Sequence, residues 1–142
     1  MRNFRDLRAW QQAHRLTLRL YRETKSLPKD ELFGLTSQMR RACLSIEANL
    51  AEGCGRQTDG ELARFGQIAL GSASELECHL LVAKDLEYLT SSAYRTLQEE
   101  LEDVRRMLTG LRRSLNRSSD VPEGTLTGSR KAESGQRKAP SS

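Results

Sequence analysis

The chain has 142 residues, with 23 lysines and arginines against 19 acids, a net charge of +4 and two histidines. That length allows one domain with a sizeable core, and the mild basicity fits either a polyanion partner or an ordinary protein surface. No apolar run reaches the length of a membrane span, Met1-Arg2-Asn3-Phe4-Arg5-Asp6 has no signal-peptide core, and Cys43, Cys54 and Cys78 form no CxxC pair; these features speak against a membrane protein, a zinc site and a disulfide framework, and for a soluble cytoplasmic protein.

Phe4 to about Lys25 contains no Gly or Pro and predicts a first helix. At about 100° per residue, Leu7, Trp10, Ala13, His14, Thr17, Leu20 and Tyr21 share a broad apolar face, with Leu16 and Leu18 at its edges. Arg5, Arg8, Arg15, Arg19 and Arg22 gather on the other side as an arginine ridge. Pro28 marks the connection that follows, and Asp30 or Thr36 is the expected cap of a second helix. Its apolar positions are Leu35, Met39, Ala42, Cys43, Ile46 and Leu50.

Gly53 and Gly55 are expected to end that helix and turn the chain. Thr58 then caps a third helix, with Glu61 as its capping-box partner. Leu62, Phe65, Ala69, Ala73, Leu76, Leu80 and Ala83 form its stripe. Gly71 sits inside that pattern, where a glycine costs roughly 1 kcal/mol relative to alanine, and close helix packing is the expected compensation. After Leu86-Glu87-Tyr88-Leu89, Thr90-Ser91-Ser92 opens a fourth helix. Tyr94, Leu97, Leu101, Val104, Leu108, Leu111 and Leu115 make a seam of three- and four-residue steps in it.

From Arg117 the pattern stops, and a segment so poor in large apolar residues is expected to be disordered. The reading is therefore an all-α protein, an antiparallel up-and-down four-helix bundle over residues 1–116 with a disordered tail over 117–142. Charge divides along the chain: residues 1–56 carry 11 basic and 6 acidic side chains, residues 57–116 carry 7 and 10, and residues 117–142 carry 5 and 3. The first half is net positive and the second net negative, which offers a route to head-to-tail contact between copies.

No reaction is signalled. A nucleophile needs a base beside it, yet His14 falls on the apolar face as a hydrogen-bonded core histidine, and the adjacent Cys78 and His79 diverge around the helix. There is no Walker sequence, no GxGxxG after a strand and no HExxH, so no cofactor or metal is expected. Asn49, Glu52, Arg56 and Glu75 are expected to form a buried polar network that fixes helix register, a ligand pocket being the competing reading. The arginine ridge carries the functional reading, because guanidinium groups bind phosphate in a bidentate fashion and several spaced along a helix can follow a nucleic-acid backbone. A solvated face, or one paired with an acidic neighbour, is the competing reading, and no aromatic platform for base stacking stands out.

Ordered motifs also carry a family resemblance. Phe4-x-x-Leu7-x-x-Trp10-Gln11-x-Ala13, Leu27-Pro28 and Glu31-x-Phe33-Gly34-Leu35-Thr36-x-Gln38-Met39-Arg40-Arg41-Ala42 resemble the bacterial four helix bundle proteins, also called 23S rRNA intervening-sequence proteins. So do Ser45-Ile46-x-x-Asn49-Leu50-Ala51-Glu52-Gly53-x-Gly55-Arg56, Phe65-x-x-Ile68-Ala69-x-Gly71-Ser72-x-x-Glu75-Leu76-Glu77 and Leu86-x-Tyr88-Leu89. The resemblance spans about residues 4–116. It implies a ring-shaped homopentamer and a non-enzymatic binding or scaffold role. A related branch, the accessory variability determinant of diversity-generating retroelements, adds a reverse transcriptase and nucleic acid as implied partners. Many relatives carry proline where this chain has Glu47. The expected function is a homo-oligomeric scaffold that binds RNA or DNA backbone through its basic face; the alternative is a structural protein-protein module with no nucleic-acid role.

Overall fold

The structure is a computed structural model that describes residues 2–120. Four α-helices account for most of it: α1 Arg8–Glu23, α2 Leu35–Cys54, α3 Asp59–Asp85 and α4 Ser91–Asp120. Each packs on its neighbours in the cyclic order α1–α2–α3–α4–α1, which closes an up-and-down bundle. Leu16, Leu20, Met39, Ile46, Leu50, Leu76, Leu80, Leu97 and Leu101 are fully buried along its axis. The helix 4 seam holds: Leu97, Leu101, Val104, Leu108 and Leu115 are all buried.

Three boundaries differ from expectation. The first helix is interrupted, because Phe4–Asp6 forms a 3-10 turn capped by Asn3 and Leu7 is extended at φ −82°, ψ 121° before α1 begins. The second is capped by neither Asp30 nor Thr36. Glu31 does this work, its Oε1 accepting the Leu35 amide at 3.2 Å, while Thr36 is buried. The fourth continues to Asp120, four residues beyond Asn116; the expectation of disorder for the remainder of 117–142 falls on residues 121–142, which lie outside the described residues.

Thr58 caps α3 as expected, its Oγ1 accepting the Glu61 amide at 3.1 Å. At its far end α3 closes with Glu87 in the left-handed region at φ 63°, the Glu87 amide bonding to Lys84 O and the Tyr88 amide to Ala83 O. That pair of bonds is the Schellman arrangement, in which glycine usually takes the left-handed position. Tyr88 then donates through its hydroxyl to Glu31 Oε2 at 3.1 Å, which fastens the α3–α4 connection to the α1–α2 connection at one end of the bundle. The hydrogen bond to this carboxylate raises the Tyr88 pKa.

The two glycines of the α2–α3 turn do different things. Gly53 is inside α2 and buried; a Cβ there would stand 2.8 Å from Leu62 Cδ1 and 2.9 Å from Phe65 Cβ, so it lets α3 approach closely. Gly55 caps α2 at φ −79°, ψ −9°, a conformation open to any residue, so turning the chain does not require its freedom. Gly71 is exposed and a Cβ there would meet nothing within 4 Å, so close packing within the chain is not its compensation. Among the described residues no helix is long and apolar enough to cross a membrane.

Candidate nucleic-acid interface

The face of α1 that meets the core is Ala9, Gln12, Ala13, Leu16, Thr17 and Leu20. Leu16, expected at the edge, is fully buried, and Leu18 is 46% exposed. This phase leaves Arg8, Arg15 and Arg22 on the outside, recurring every seven residues and thus about 10.5 Å apart along the axis. All three are exposed, and none makes an ion pair among the described residues. Arg15 is held in place by the buried Gln12, whose Oε1 accepts from its Nη2 at 2.7 Å and from its Nε at 3.2 Å.

Two expected members of the ridge are placed differently. Arg19 is turned toward α4, where its Nε donates to Glu100 Oε2 at 3.0 Å, so its charge is already partnered. Arg5 stands on the 3-10 turn before α1, its guanidinium 4.7 Å above the Phe4 ring. The ridge is therefore three free arginines on one helix face with Arg5 at its N-terminal end. Arg113 and Arg117, which sequence reasoning left out, are exposed at the end of α4 that lies beside the start of α1, and neither makes an ion pair among the described residues. The antiparallel pairing of α1 with α4 sets those two helix ends side by side, and no local pattern encodes it.

Asn49, Glu52, Arg56 and Glu75 do not form one network. Asn49 Nδ2 donates to Ser45 O at 2.8 Å, and Ser45 Oγ meets Ser72 Oγ at 2.8 Å, so this contact joins α2 to α3. Glu52 and Arg56 make an exposed i,i+4 pair at 2.8 Å. Glu75 instead faces Arg41 at 3.5 Å and His79 at 3.2 Å. Helical phase does not separate Asn49 from Glu52, since they are only about 60° apart around α2. The split comes from their partners, the half-buried Asn49 reaching back one turn to Ser45 and the exposed Glu52 reaching forward one turn to Arg56. His14 is half-exposed, its ring stacked on Trp10 at 4.8 Å and its Nδ1 3.0 Å from Glu47 Oε1. α2 runs unbroken through Glu47.

Cys43 and Cys54 are buried and Cys78 is exposed, all free. Burial pushes the Cys43 thiol up to about 12, and burial likewise raises Cys54. Among the described residues no three His, Cys, Asp or Glu side chains gather as a metal set.

Residues 5–110 match the family model described as 23S rRNA-intervening sequence protein. The chain belongs to this family. The matched region of this bundle holds all of its α1 arginine face. A search of curated proteins finds no match. Among solved structures it is similar to a protein of unknown function from the S23 ribosomal protein family of Bacteroides thetaiotaomicron, with 23% identity, 73% of this chain and 97% of that one covered, and a TM-score of 0.68. At that identity the likeness concerns the fold.

Proposed function

We propose that this member of the 23S rRNA-intervening sequence protein family is a non-enzymatic, cytoplasmic, homo-oligomeric scaffold that holds RNA or DNA backbone along α1. One observation carries the reading: Arg8, Arg15 and Arg22 stand exposed on one face with no acidic partner among the described residues, although α4 beside them is rich in acids. Glu100 is already taken by Arg19, and Asp103 by Arg106, so neither of these acids competes with phosphate for the face, and Arg15 and Arg22 keep their charge available to it. A ring of five copies is the form the family resemblance implies, and it would repeat the face around the assembly, multiplying phosphate contacts without a new site. The thiols support a non-enzymatic role: Cys43 is held protonated by burial, and His79 beside Cys78 is turned to Glu75.

A mobility-shift titration with structured RNA across a salt series tests this. Binding is expected to weaken steeply as salt rises, and Arg15→Glu with Arg22→Glu to reduce both affinity and slope. A double variant that keeps the wild-type slope overturns the reading. The protein-protein module remains the second reading because Phe33 is 92% exposed.

A further inference from the structure

Phe33 is the most exposed large apolar side chain among the described residues, at 92%. Its backbone is nonetheless fixed. Glu31 N–H donates to Pro28 O at 3.0 Å, Leu32 N–H to Lys29 O at 3.1 Å and Gly34 N–H to Glu31 O at 3.0 Å, while the Glu31 carboxylate is tied to both Leu35 and Tyr88. Leu32 beside it is 48% exposed, and Leu86, on the connection that Tyr88 fastens alongside, is 52% exposed. A rigidly presented aromatic with an apolar surround has the form of an interface anchor, because it has much area to bury and little freedom left to lose.

At the opposite end of the bundle a groove of about 530 Å³ runs between α1 and α4. Leu7, Ala9, Met107 and Leu111 make it apolar, and Gly110 leaves it open, since a Cβ there would meet nothing within 4 Å. Asp6 and Arg8 stand at its edge, and Lys29 and Asp30 precede Phe33 in the chain. All four are exposed and none makes an ion pair among the described residues. Knob and groove are thus both apolar, and each carries one free acid and one free base that can pair with the other's.

We propose that Phe33 of one copy seats in the α1–α4 groove of a second copy of this chain, with Lys29 facing Asp6 and Asp30 facing Arg8. The two surfaces are different and lie at opposite ends of one bundle, so the contact is heterologous and adds copies head to tail, closing as a ring where its rotation allows. It rests on the homo-oligomeric reading above and names the contact that makes it. Arg8 belongs to this contact, and Arg15 and Arg22 stay free for phosphate.

Light scattering on the full chain at micromolar concentration tests the contact with the wild type, Phe33→Ser and Gly110→Leu. Phe33 lies outside the bundle and a Cβ at position 110 meets nothing within 4 Å, so the added leucine fills the groove, and circular dichroism confirms that each variant folds. The wild type is expected to be oligomeric and each variant monomeric. An equimolar mixture of the two variants forms a heterodimer, because one keeps the groove and the other keeps the knob. If either variant assembles as the wild type does, the contact is wrong and the oligomeric scaffold still stands. A monomeric wild type overturns both.

Discussion

His14 Nδ1 stands 3.0 Å from Glu47 Oε1 and joins α1 to α2 through a carboxylate whose side chain is 13% exposed. A carboxylate in this role accepts, so the proton sits on Nδ1. The other oxygen, Glu47 Oε2, is buried without a hydrogen-bond partner among the described residues. The arrangement is asymmetric, because His14 is 44% exposed and exchanges readily with water while Glu47 cannot.

Removing the two partners should therefore have unequal effects. His14→Ala leaves a carboxylate buried and unpaired and is expected to lower stability by about 1 kcal/mol, discounted for the exposure of the ring. Glu47→Leu replaces the orphaned group with an apolar one of similar size and is expected to be neutral or stabilising. Thermal melting of both single variants and the double variant decides this; a Glu47→Leu protein that melts well below wild type would show that the pair stabilises the fold.

The two glycines at the end of α2 give a second contrast. Gly53→Ala forces a Cβ to within 2.9 Å of Phe65 Cβ and closer still to Leu62, two side chains that are themselves packed. An overpacking cost of about 1–3 kcal/mol is expected. Gly55→Ala meets only Glu52 O at 3.4 Å and Ala51 O at 3.9 Å, ordinary contacts, and restricts the unfolded chain. It is expected to be neutral or to stabilise by up to about 1 kcal/mol. Urea midpoints with unchanged slopes would establish the difference, and equal losses at both positions would refute it.

The helices were legible because each stripe repeats at three- and four-residue steps, and the α3 cap because Thr58 and Glu61 have the required spacing. What depended on two elements meeting was not legible. Asn49 is paired with Ser45, whose hydroxyl meets Ser72 across the helix interface, and Arg19 with Glu100, whose partnership is 81 residues long in sequence. The break at Leu7 was hidden because an extended residue can carry the same apolar side chain as a helical one. Phe33 was read as part of a family motif, and nothing local distinguishes a buried phenylalanine from one left outside.

Glu87 occupies the left-handed position of the α3 terminus at φ 63°, where a Cβ crowds the backbone. Glycine relieves that crowding and keeps both hydrogen bonds of the motif, although it gains freedom in the unfolded chain. Glu87→Gly is expected to raise stability by roughly 0.5–1 kcal/mol. Glu87→Val, branched at Cβ, should lower it. A melting temperature that ranks valine above glycine would contradict the assignment.

Cys43 ties stability to alkaline pH. Burial between α1 and α2 dominates its environment; the Thr17 hydroxyl opposes the shift and the Glu47 charge adds to it, leaving the thiol at about 12 against an ordinary 9.0. Below pH 9 the thiol is protonated in both folded and unfolded chains, so it contributes no pH dependence. Between about 9 and 12 the unfolded chain releases the proton and the folded chain does not, so stability falls as pH rises, by about 1.4 kcal/mol per unit. Cys43→Ala removes this slope at the expense of a small cavity. Urea midpoints for wild type and Cys43→Ala at pH 8 and pH 10 should therefore converge as pH rises. Cys54, also raised by burial, adds a slope of the same sign to both proteins, so only the difference between them reports Cys43. Parallel pH dependence in the two proteins would place the Cys43 thiol in contact with water.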